Sequence, residues 1–575
     1  MMQVICDIET DDLNATIIHC IVCKDINTNE IHSFYGDSLH TFNKFAAGVD
    51  HWIGHNFLSF DAPILNKLIG TTIPVTQVTD TLILSRMDRP DRENGHSLSS
   101  WGVRAKYPKI EFHDFKFFTE EMLEYCVQDV NLCHKIYIYL MKRMSKHSYE
   151  AVRMEHTVRY IVNQQKQNGF SFNYQEANML VASLESEKRS VEQEVHKTMK
   201  PLATLLRVVT PRIKKDGSMS TVGLSKLGDH AAYVSGMFSL IEFPEFNLGS
   251  RKQIAKQLQF KGWKPSKFTD KGNIIVDEVV LENVKLPEAQ LIYKFLLLQK
   301  RIAQINNWIK AYNHDTGCIH GEVNTLGANT NRMTHNSPNV AQTPASYSPY
   351  GEECRELFKR RSSDRVLVGS DASGLELRCL AHYMNDESFT EEILDGDIHT
   401  VNQKMAGLPS RDAAKTFIYA LIYGAGPAKM GKIIGGGKAE GQQMLEMYFK
   451  KSPKLKRLID NVKRTAQSGY VRAVDNRLLN VRSEHAALNL LLQGMGAIVC
   501  KYWLIEIMKL VYKNKLDVLL VASIHDEYQF DVLNDHASTF ADCTKKAIKT
   551  VESQLNLRCP LDSDFKIGLN WSQTH

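Results

Sequence analysis

No charge of either sign dominates this chain of 575 residues: 70 lysines and arginines stand against 65 aspartates and glutamates, a formal +5. That balance alone does not announce a polyanionic partner. The basic residues do gather in "TPRIKKDG" (210–217) and "GSRKQIAKQLQFKGWKPSKFTDKG" (249–272). Such clusters suit phosphate contacts, and a solvated charged face accounts for them as well. No apolar run reaches the length of a bilayer span. The opening "MMQVICDIETDD" lacks the basic-then-apolar form of a secretory signal. The expectation is a cytoplasmic protein with no membrane partner. Cysteines number only 11, an odd count, and are scattered. The single CxxC, Cys20 and Cys23, falls in an apparent strand, where positions three apart face opposite ways. No second pair completes a zinc site, which predicts reduced, mostly buried thiols. In "GKIIGGGKAEG" (431–441), Lys438 precedes Ala439 rather than Ser or Thr, so a turn between helices is expected, not a phosphate loop. There are no internal repeats.

What is present is an ordinary globular composition, 43% hydrophobic and 23% charged, at a length that predicts several domains. Residues 1–40 alternate as strands, in "QVICDIET", "TIIHCIVCKD" and "IHSFYG". Helical patterns follow, notably "EEMLEYCVQDVNLCHKIYIYLMKRM" (120–144). The mixture predicts an α/β domain over about the first 145 residues. The next region is helical, with "EHTVRYIVNQQKQNGF", "EANMLVASLESEKRSVEQEVHKTMK" and "PEAQLIYKFLLLQKRIAQINNWIKAYN". Between the last two, about 200–245 is poor in periodicity and reads as a flexible excursion. From about 318 onward strands and helices mix again.

"ICDIET" sets Asp7 and Glu9 two apart on a strand, facing one way. "GHNFLSFDAPIL" adds Asp61, and "YCVQDV" adds Tyr125 and Asp129, one helical turn apart. A polar strand edge accounts for Asp7 and Glu9 alone. Four carboxylates without a basic partner repel one another, and a pair of divalent cations would resolve that repulsion. Two such ions activate a water and stabilise a leaving oxygen on phosphorus. Tyr125 would orient the water. In this order the segments resemble the 3′–5′ exonuclease domain of proofreading DNA polymerases, with all four acids and the tyrosine filled.

A second constellation lies further on. "DRVLVGSDASGLELRCLAHYM" (364–384) reads as strand, turn and helix, with Asp371 at the strand's end. "LLVASIHDEYQFDV" (519–532) reads as a hairpin with His525, Asp526 and Glu527 between two apolar runs. If Asp526 meets Asp371, the two share metal ions. In "SRDAAKTFIYALIYGAG" (410–426), Arg411, Lys415, Tyr419 and Tyr423 recur every four residues. That spacing winds a slow stripe about 18 Å long on a helix. Its cations would neutralise phosphates near the helix N-terminus, and its tyrosines would lie by sugar and base. A plain amphipathic helix with two surface cations is the competing reading.

These segments resemble the motifs of family A, or DNA polymerase I-like, enzymes. "GDIHTVNQKMAGLPSRDAAKTFIYALIYGAG", "VRSEHAALNLLLQGMGAIVCK", "VNTLGANTNRMTHNSPNVAQTP" and the ending "LNWSQTH" are most similar to the replicative polymerases of T-seven-like bacteriophages. The resemblance covers nearly the whole chain. It implies an RNase H-like 3′–5′ exonuclease domain (1–145) followed by a right-hand polymerase: thumb 146–317, palm 318–396 and 476–575, and fingers 397–475. It implies two Mg2+ in each active site, with Mn2+ able to substitute. Asp371, Asp526 and the Ala372 carbonyl would hold those of the polymerase site, and Asp7, Glu9, Asp61 and Asp129 those of the exonuclease site. Lys415 would contact the phosphates nearest the reacting phosphorus, and Arg411 and His399 the distal ones. Glu376, seated against Tyr423, would crowd a ribose 2′-hydroxyl, and Tyr419 implies acceptance of dideoxynucleotides. Glu527 would support the site as ligand, support or neighbour, and His525 the primer end. Arg332, Asn489 and Gln493 would touch the minor groove, whose acceptors are largely common to all base pairs. Arg482 and His485 would contact template or primer.

The partners implied are primer–template DNA and dNTPs, a processivity factor at the thumb, and a phage helicase-primase and single-stranded DNA-binding protein in an infected host, with the enzyme a monomer. The chain starts at the exonuclease motif, so no 5′-nuclease domain is expected. Relatives grip host thioredoxin through a longer basic thumb insertion. The shorter excursion here does not predict that dependence. A nuclease with a vestigial polymerase half and a single-subunit RNA polymerase are the alternatives. Asp371, Asp526, Arg411 and Lys415 weigh against the first, and Glu376 and the exonuclease acids against the second.

Overall fold

The computed structural model describes residues 1–220, 224 and 234–575. The chain forms two compact units, Met1–Phe172 with Ala311–His575, and Asn173–Lys310.

The first unit opens with a five-stranded sheet. Its order is Ile31–Tyr35, Ile18–Asp25, Gln3–Thr10, His51–Gly54, Val78–Asp80. The first three strands pair antiparallel and the last two join in parallel. Strand alternation sorts the first strand onto two faces. Val4, Cys6 and Ile8 pack with Trp52, Phe57 and Leu65. Ile5 packs on the opposite face with Cys20, Val22, Met122, Cys126 and Val130. Asp7 and Glu9 share the face of Ile5, so they come to lie beneath the helix Glu120–Met144. That helix starts where expected because the Thr119 side chain accepts from the Met122 N–H. Cys20 and Cys23 sit in different clusters, as opposite faces require.

A second, antiparallel sheet has the order Val518–Ile524, Glu527–Leu533, Arg365–Ala372, Ser563–Gly568. Behind it run the helices Ala487–Lys513 and Ala537–Gln554. The stretch Glu484–Lys513 is long and apolar enough to cross a membrane, contrary to the sequence expectation, but 89% of its most apolar window is buried inside the protein. A helix apolar all round is what a core helix looks like.

Further helices, Ile398–Ala406, Arg411–Ile422, Pro427–Ile433, Lys438–Lys451 and Pro453–Ala466, build the region after Asp395. Ser410 caps the second, accepting from the Ala413 N–H, and proline stands in the first turn of the third and fifth. Residues 434–437 form the expected turn between two helices.

The helix Tyr149–Asn168 lies in the first unit. It is held there by its buried Glu155, which accepts from Lys501 Nζ at 2.8 Å on both oxygens and pairs with Arg477. The excursion at 200–245 is not without structure: Thr204–Val209 pairs antiparallel with Phe238–Glu242 in the second unit. Residues 221–223 and 225–233 of that excursion lie outside the described residues. The second unit also carries the helices Tyr174–Thr198, Arg251–Phe260 and most of Pro287–Ala311.

Candidate active sites

The first acid cluster forms at the end of the five-stranded sheet. Asp61, 2% exposed, opens the helix Asp61–Ile69, and its Oδ1 accepts from the Ile8 N–H at 3.2 Å. Tyr125 and Asp129 project from the helix above. Burial and then the Asp129 charge raise the Asp7 carboxyl to about 7. Burial and then Asp7 raise Glu9 to about 10. Asp61 is pushed well above the carboxylate range for the same two reasons. The expectation that no cation stands near is wrong: Lys109 pairs with Asp129 and donates to the Tyr125 hydroxyl at 2.7 Å. Burial works against the Lys109 charge, but Asp129 and Tyr125 outweigh it and raise its pKa. Lys109 comes from the irregular segment before the helix and has no motif to mark it. One lysine does not balance four carboxylates, and Asp129 Oδ1 remains buried without a hydrogen-bond partner. Divalent cations fit this donor set of clustered hard oxygens.

The second cluster is built by strand register. Asp371 pairs with Glu527, and the Ala372 N–H donates to the Asp526 carbonyl at 3.1 Å. The hairpin turn is two residues, His525 and Asp526, with His525 at φ 54°, in the left-handed region such tight turns use. Asp526 is thus set beside the end of the Asp371 strand. Asp371 is raised to about 7 by desolvation, then by Asp526 and Glu527. Here too a divalent cation fits, because it would remove the repulsion that raises Asp371. Glu527 has both oxygens engaged. Oε1 accepts from Trp571 Nε1 at 2.8 Å and Gln529 Nε2 at 2.5 Å, and Oε2 meets His575 Nδ1 at 2.6 Å. Burial raises its pKa, but those contacts, led by His575, hold it below the usual range. Glu527 is thus occupied on both oxygens by side chains of its own strand and of the C-terminal end. Trp571, Gln529 and His575 were not singled out from sequence, although the ending that carries two of them was.

The helix Arg411–Ile422 carries Arg411, Lys415 and Tyr419. Tyr423 is the residue just past its end, so the stripe continues off the helix rather than along it. The Tyr419 and Tyr423 rings lie 6.5 Å apart, and His399 lies 6.4 Å from Tyr419. Arg411 pairs with Asp397 at 2.7 Å, and Lys415 is exposed. Tyr423 Oη donates to both Glu376 oxygens at 3.1 Å, and Arg332 Nη2 donates to Oε1 at 3.3 Å. Asn489 and Gln493, both half-buried, share a face at the start of Ala487–Lys513. His485 and His525 are exposed. Arg482 is not free: it pairs with Asp91 at 2.9 Å.

A carboxylate-bearing hairpin against a strand-end aspartate, faced by a helix of cations and tyrosines, defines a polymerase of the right-hand type. The fold agrees. A solved structure described as "POL domain of Pol1 from M. smegmatis complex with DNA primer-template and dNTP" matches 100% of this chain and 96% of its own length, with a TM-score of 0.78 at 17% identity. The chain belongs to DNA polymerase family A, whose sequence profile matches residues 226–573. It is 34% identical to the DNA-directed DNA polymerase of Enterobacteria phage T3 and 32% identical to that of Escherichia phage T7, each over 100% of both chains. DNA polymerase I of Bacillus caldotenax is 26% identical over 57% of this chain and 40% of its own. The alignment with the T7 enzyme extends over 706 positions, so that relative carries segments absent from these 575 residues. The chain is a DNA-directed DNA polymerase, and the vestigial and RNA-polymerase alternatives fall away. Enzymes of this family use divalent metal ions.

Proposed function

We propose that this polymerase extends a DNA primer with dNTPs at Asp371 and Asp526 and proofreads at a separate centre formed by Asp7, Glu9, Asp61 and Asp129. The observation that carries the first half is the 3.1 Å bond from Ala372 to the Asp526 carbonyl, which sets the two aspartates side by side. Asp371, Asp526 and the Ala372 carbonyl hold Mg2+, which when bound supplies Lewis acidity toward the primer 3′-hydroxyl and the triphosphate. Lys415 neutralises the phosphates nearest the reacting phosphorus. Arg411 exchanges Asp397 for the distal phosphates, with His399 beside it. Tyr419 and Tyr423 bracket sugar and base. Glu376, locked by Tyr423 and Arg332, leaves no room for a 2′-hydroxyl. Arg332, Asn489 and Gln493 offer donors to the minor groove, and His485, His525 and Arg482 contact primer or template, Arg482 once released from Asp91. Glu527 supports the hairpin.

In the exonuclease centre the four acids hold Mg2+, and Tyr125, held by Lys109, positions the attacking water. The T3 and T7 relatives support a role in copying phage DNA in the host, and the solved polymerase bound to primer–template DNA and dNTP supports those two as substrates; a helicase-primase, a single-stranded DNA-binding protein and a processivity factor are further partners of this proposal.

Primer extension with Mg2+ and either dNTPs or NTPs tests the first assignment. Asp526→Ala is expected to abolish extension with dNTPs, and extension at the wild-type level would overturn it. Asp7→Ala with Glu9→Ala is expected to stop degradation of a 3′ single strand while synthesis continues. Equal collapse of both would show that the two centres are not separate.

A further inference from the structure

The helix Pro453–Ala466 closes the run of helices after Asp395, and the chain around it is strongly basic. From Met447 to Val474 eight lysines and arginines stand against a single acid, Asp460. That local excess is larger than the +5 of the whole chain. Local partners engage part of it. Lys456 pairs with Asp460 at 2.7 Å, Lys454 with Asp386 at 3.5 Å, and Lys451 Nζ donates to the Met405 carbonyl at 3.0 Å. Among the described residues, Lys450, Arg457 and Lys463 have no such partner, and Arg464 reaches only the Asn461 side chain. All four of these cations are exposed. Leu455, Val462 and Ala466 bury the opposite side of the helix, so Arg457 and Arg464, two turns and about 10.5 Å apart, point outward together. A solvated charged face accounts for cations of this kind, but not for where these lie.

Just past the helix, the Gly469 carbonyl accepts from the Val481 N–H at 2.9 Å, and Tyr470–Arg472 pairs with Leu478–Asn480. The helix thus ends beside the approach to Arg482 and His485. On the other side of that approach, a Cβ on Gly424, the neighbour of Tyr423, would lie 2.4 Å from the His485 carbonyl oxygen. The basic helix, the segment Arg482–His485 and Tyr423 are therefore contiguous within one compact unit. We propose that the exposed face of Pro453–Ala466, led by Arg457, Lys463 and Arg464, is a track for the phosphates of the single-stranded template that has yet to be copied. The chemistry of copying selects that strand. The primer ends at the reacting phosphorus, so a strand that continues past Tyr423 is template. Lysine and arginine contacts to phosphates hold a strand without reading its sequence, which a copying enzyme requires. The inference rests on the reading of Asp371 and Asp526 as the polymerase centre.

The test compares primer–templates whose 5′ template overhangs are about two and about twelve nucleotides long, bound to the full chain in EDTA so that nothing is degraded or extended. Fluorescence anisotropy over a range of KCl concentrations gives each Kd and its salt dependence. The wild type is expected to bind the long overhang about 10-fold or more tightly at low salt, with a log–log salt slope steeper by about 2, the share of three phosphates on a single strand. A variant carrying Arg457→Gln, Lys463→Gln and Arg464→Gln should lose that difference, while its Tm, its affinity for the short overhang and its extension of that substrate stay at the wild-type level. Arg457→Lys with Arg464→Lys, which keeps the charge, should keep the difference. A wild type indifferent to overhang length, a triple variant that retains the difference, or equal weakening on both templates overturns the proposal. So does a wild type that ignores the overhang but binds a polyglutamate peptide through the same three residues, which would give this face to an acidic protein partner. Extension of the short overhang in Mg2+ keeps the two readings apart. Wild-type extension by Asp526→Ala would sink the polymerase centre, whereas the overhang preference in EDTA reports on the basic helix alone.

Discussion

Glu376 is half-buried, takes the Tyr423 hydroxyl on both oxygens and receives Arg332 on one. A carboxylate gripped from two sides cannot swing away from an incoming sugar at little cost. Glu376→Ala should therefore raise kcat/KM for ATP relative to dATP by about 10- to 200-fold, the range a pocket change of this size produces. An unchanged ratio in a single-nucleotide insertion assay would remove Glu376 from sugar selection. His156 makes a different kind of prediction. Its Nε2 accepts the Asp80 N–H at 2.8 Å and its Nδ1 meets the Val152 carbonyl at 2.7 Å, so the folded protein holds it neutral. Burial lowers its pKa to about 3. The unfolded chain protonates this histidine near 6.5, so between that pH and about 3 only the unfolded state gains the proton. Stability then falls as pH drops, by at most about 1.4 kcal/mol per unit from this group. His156→Gln should show a shallower loss of Tm from pH 7 to pH 4 than the wild type. Parallel curves would mean that other groups carry the acid sensitivity.

The glycine-rich stretch shows its purpose at the scale of elements. A Cβ on Gly431 would lie 1.8 Å from the Gly437 carbonyl oxygen, and one on Gly441 2.0 Å from the Pro427 carbonyl oxygen. The helices Pro427–Ile433 and Lys438–Lys451 thus meet backbone to backbone, where no side chain can yield. Gly441→Ala is expected to cost about 1–3 kcal/mol, the usual penalty of overpacking. A lowered Tm with weakened extension would follow, and a neutral substitution would show that the contact can open freely. Gly431 and Gly441 of that stretch therefore serve the contact between the two helices.

Across the whole first unit, exonuclease and polymerase segments are joined by polar contacts as well as by apolar packing. Asn480 Nδ2 donates to the Asp88 carbonyl at 2.8 Å, Ser148 Oγ to the Asp475 carbonyl at 2.7 Å, and Arg482 pairs with Asp91. At the centre, Glu155, Asp475, Arg477 and Lys501 form a network exposed by no more than 2% at any side chain. Two acids and two bases balance, and removing one leaves a buried charge unpaired. Glu155→Gln should lower stability by about 3–5 kcal/mol. Because the network ties Tyr149–Asn168 to Ala487–Lys513, and the same helix grips the first sheet through Arg153 Nη1 to the Val78 carbonyl at 2.7 Å and His156 Nε2 to the Asp80 N–H at 2.8 Å, heating should remove nuclease and synthesis activities together. Loss of one activity well before the other would show that the network does not couple them.

Strand alternation, the hairpin turn and the acidic motifs were legible in the sequence because each depends on residues a few positions apart. Asp7 and Glu9 face one way by strand period alone, and Asp526 sits at a turn because apolar runs end on both sides of it. Tertiary structure decided whatever rests on pairs distant in the chain. It set Lys109 against Asp129, closed both Glu527 oxygens with residues from the C-terminal end, and engaged Arg482 with a residue 391 positions away. It also placed Tyr149–Asn168 in the same compact unit as both acid clusters and brought Cys126 Sγ to 3.7 Å from Asp7 Oδ2. Periodicity tells which way a side chain points, but burial and Coulomb forces depend on what arrives opposite it, and only the packed chain determines that.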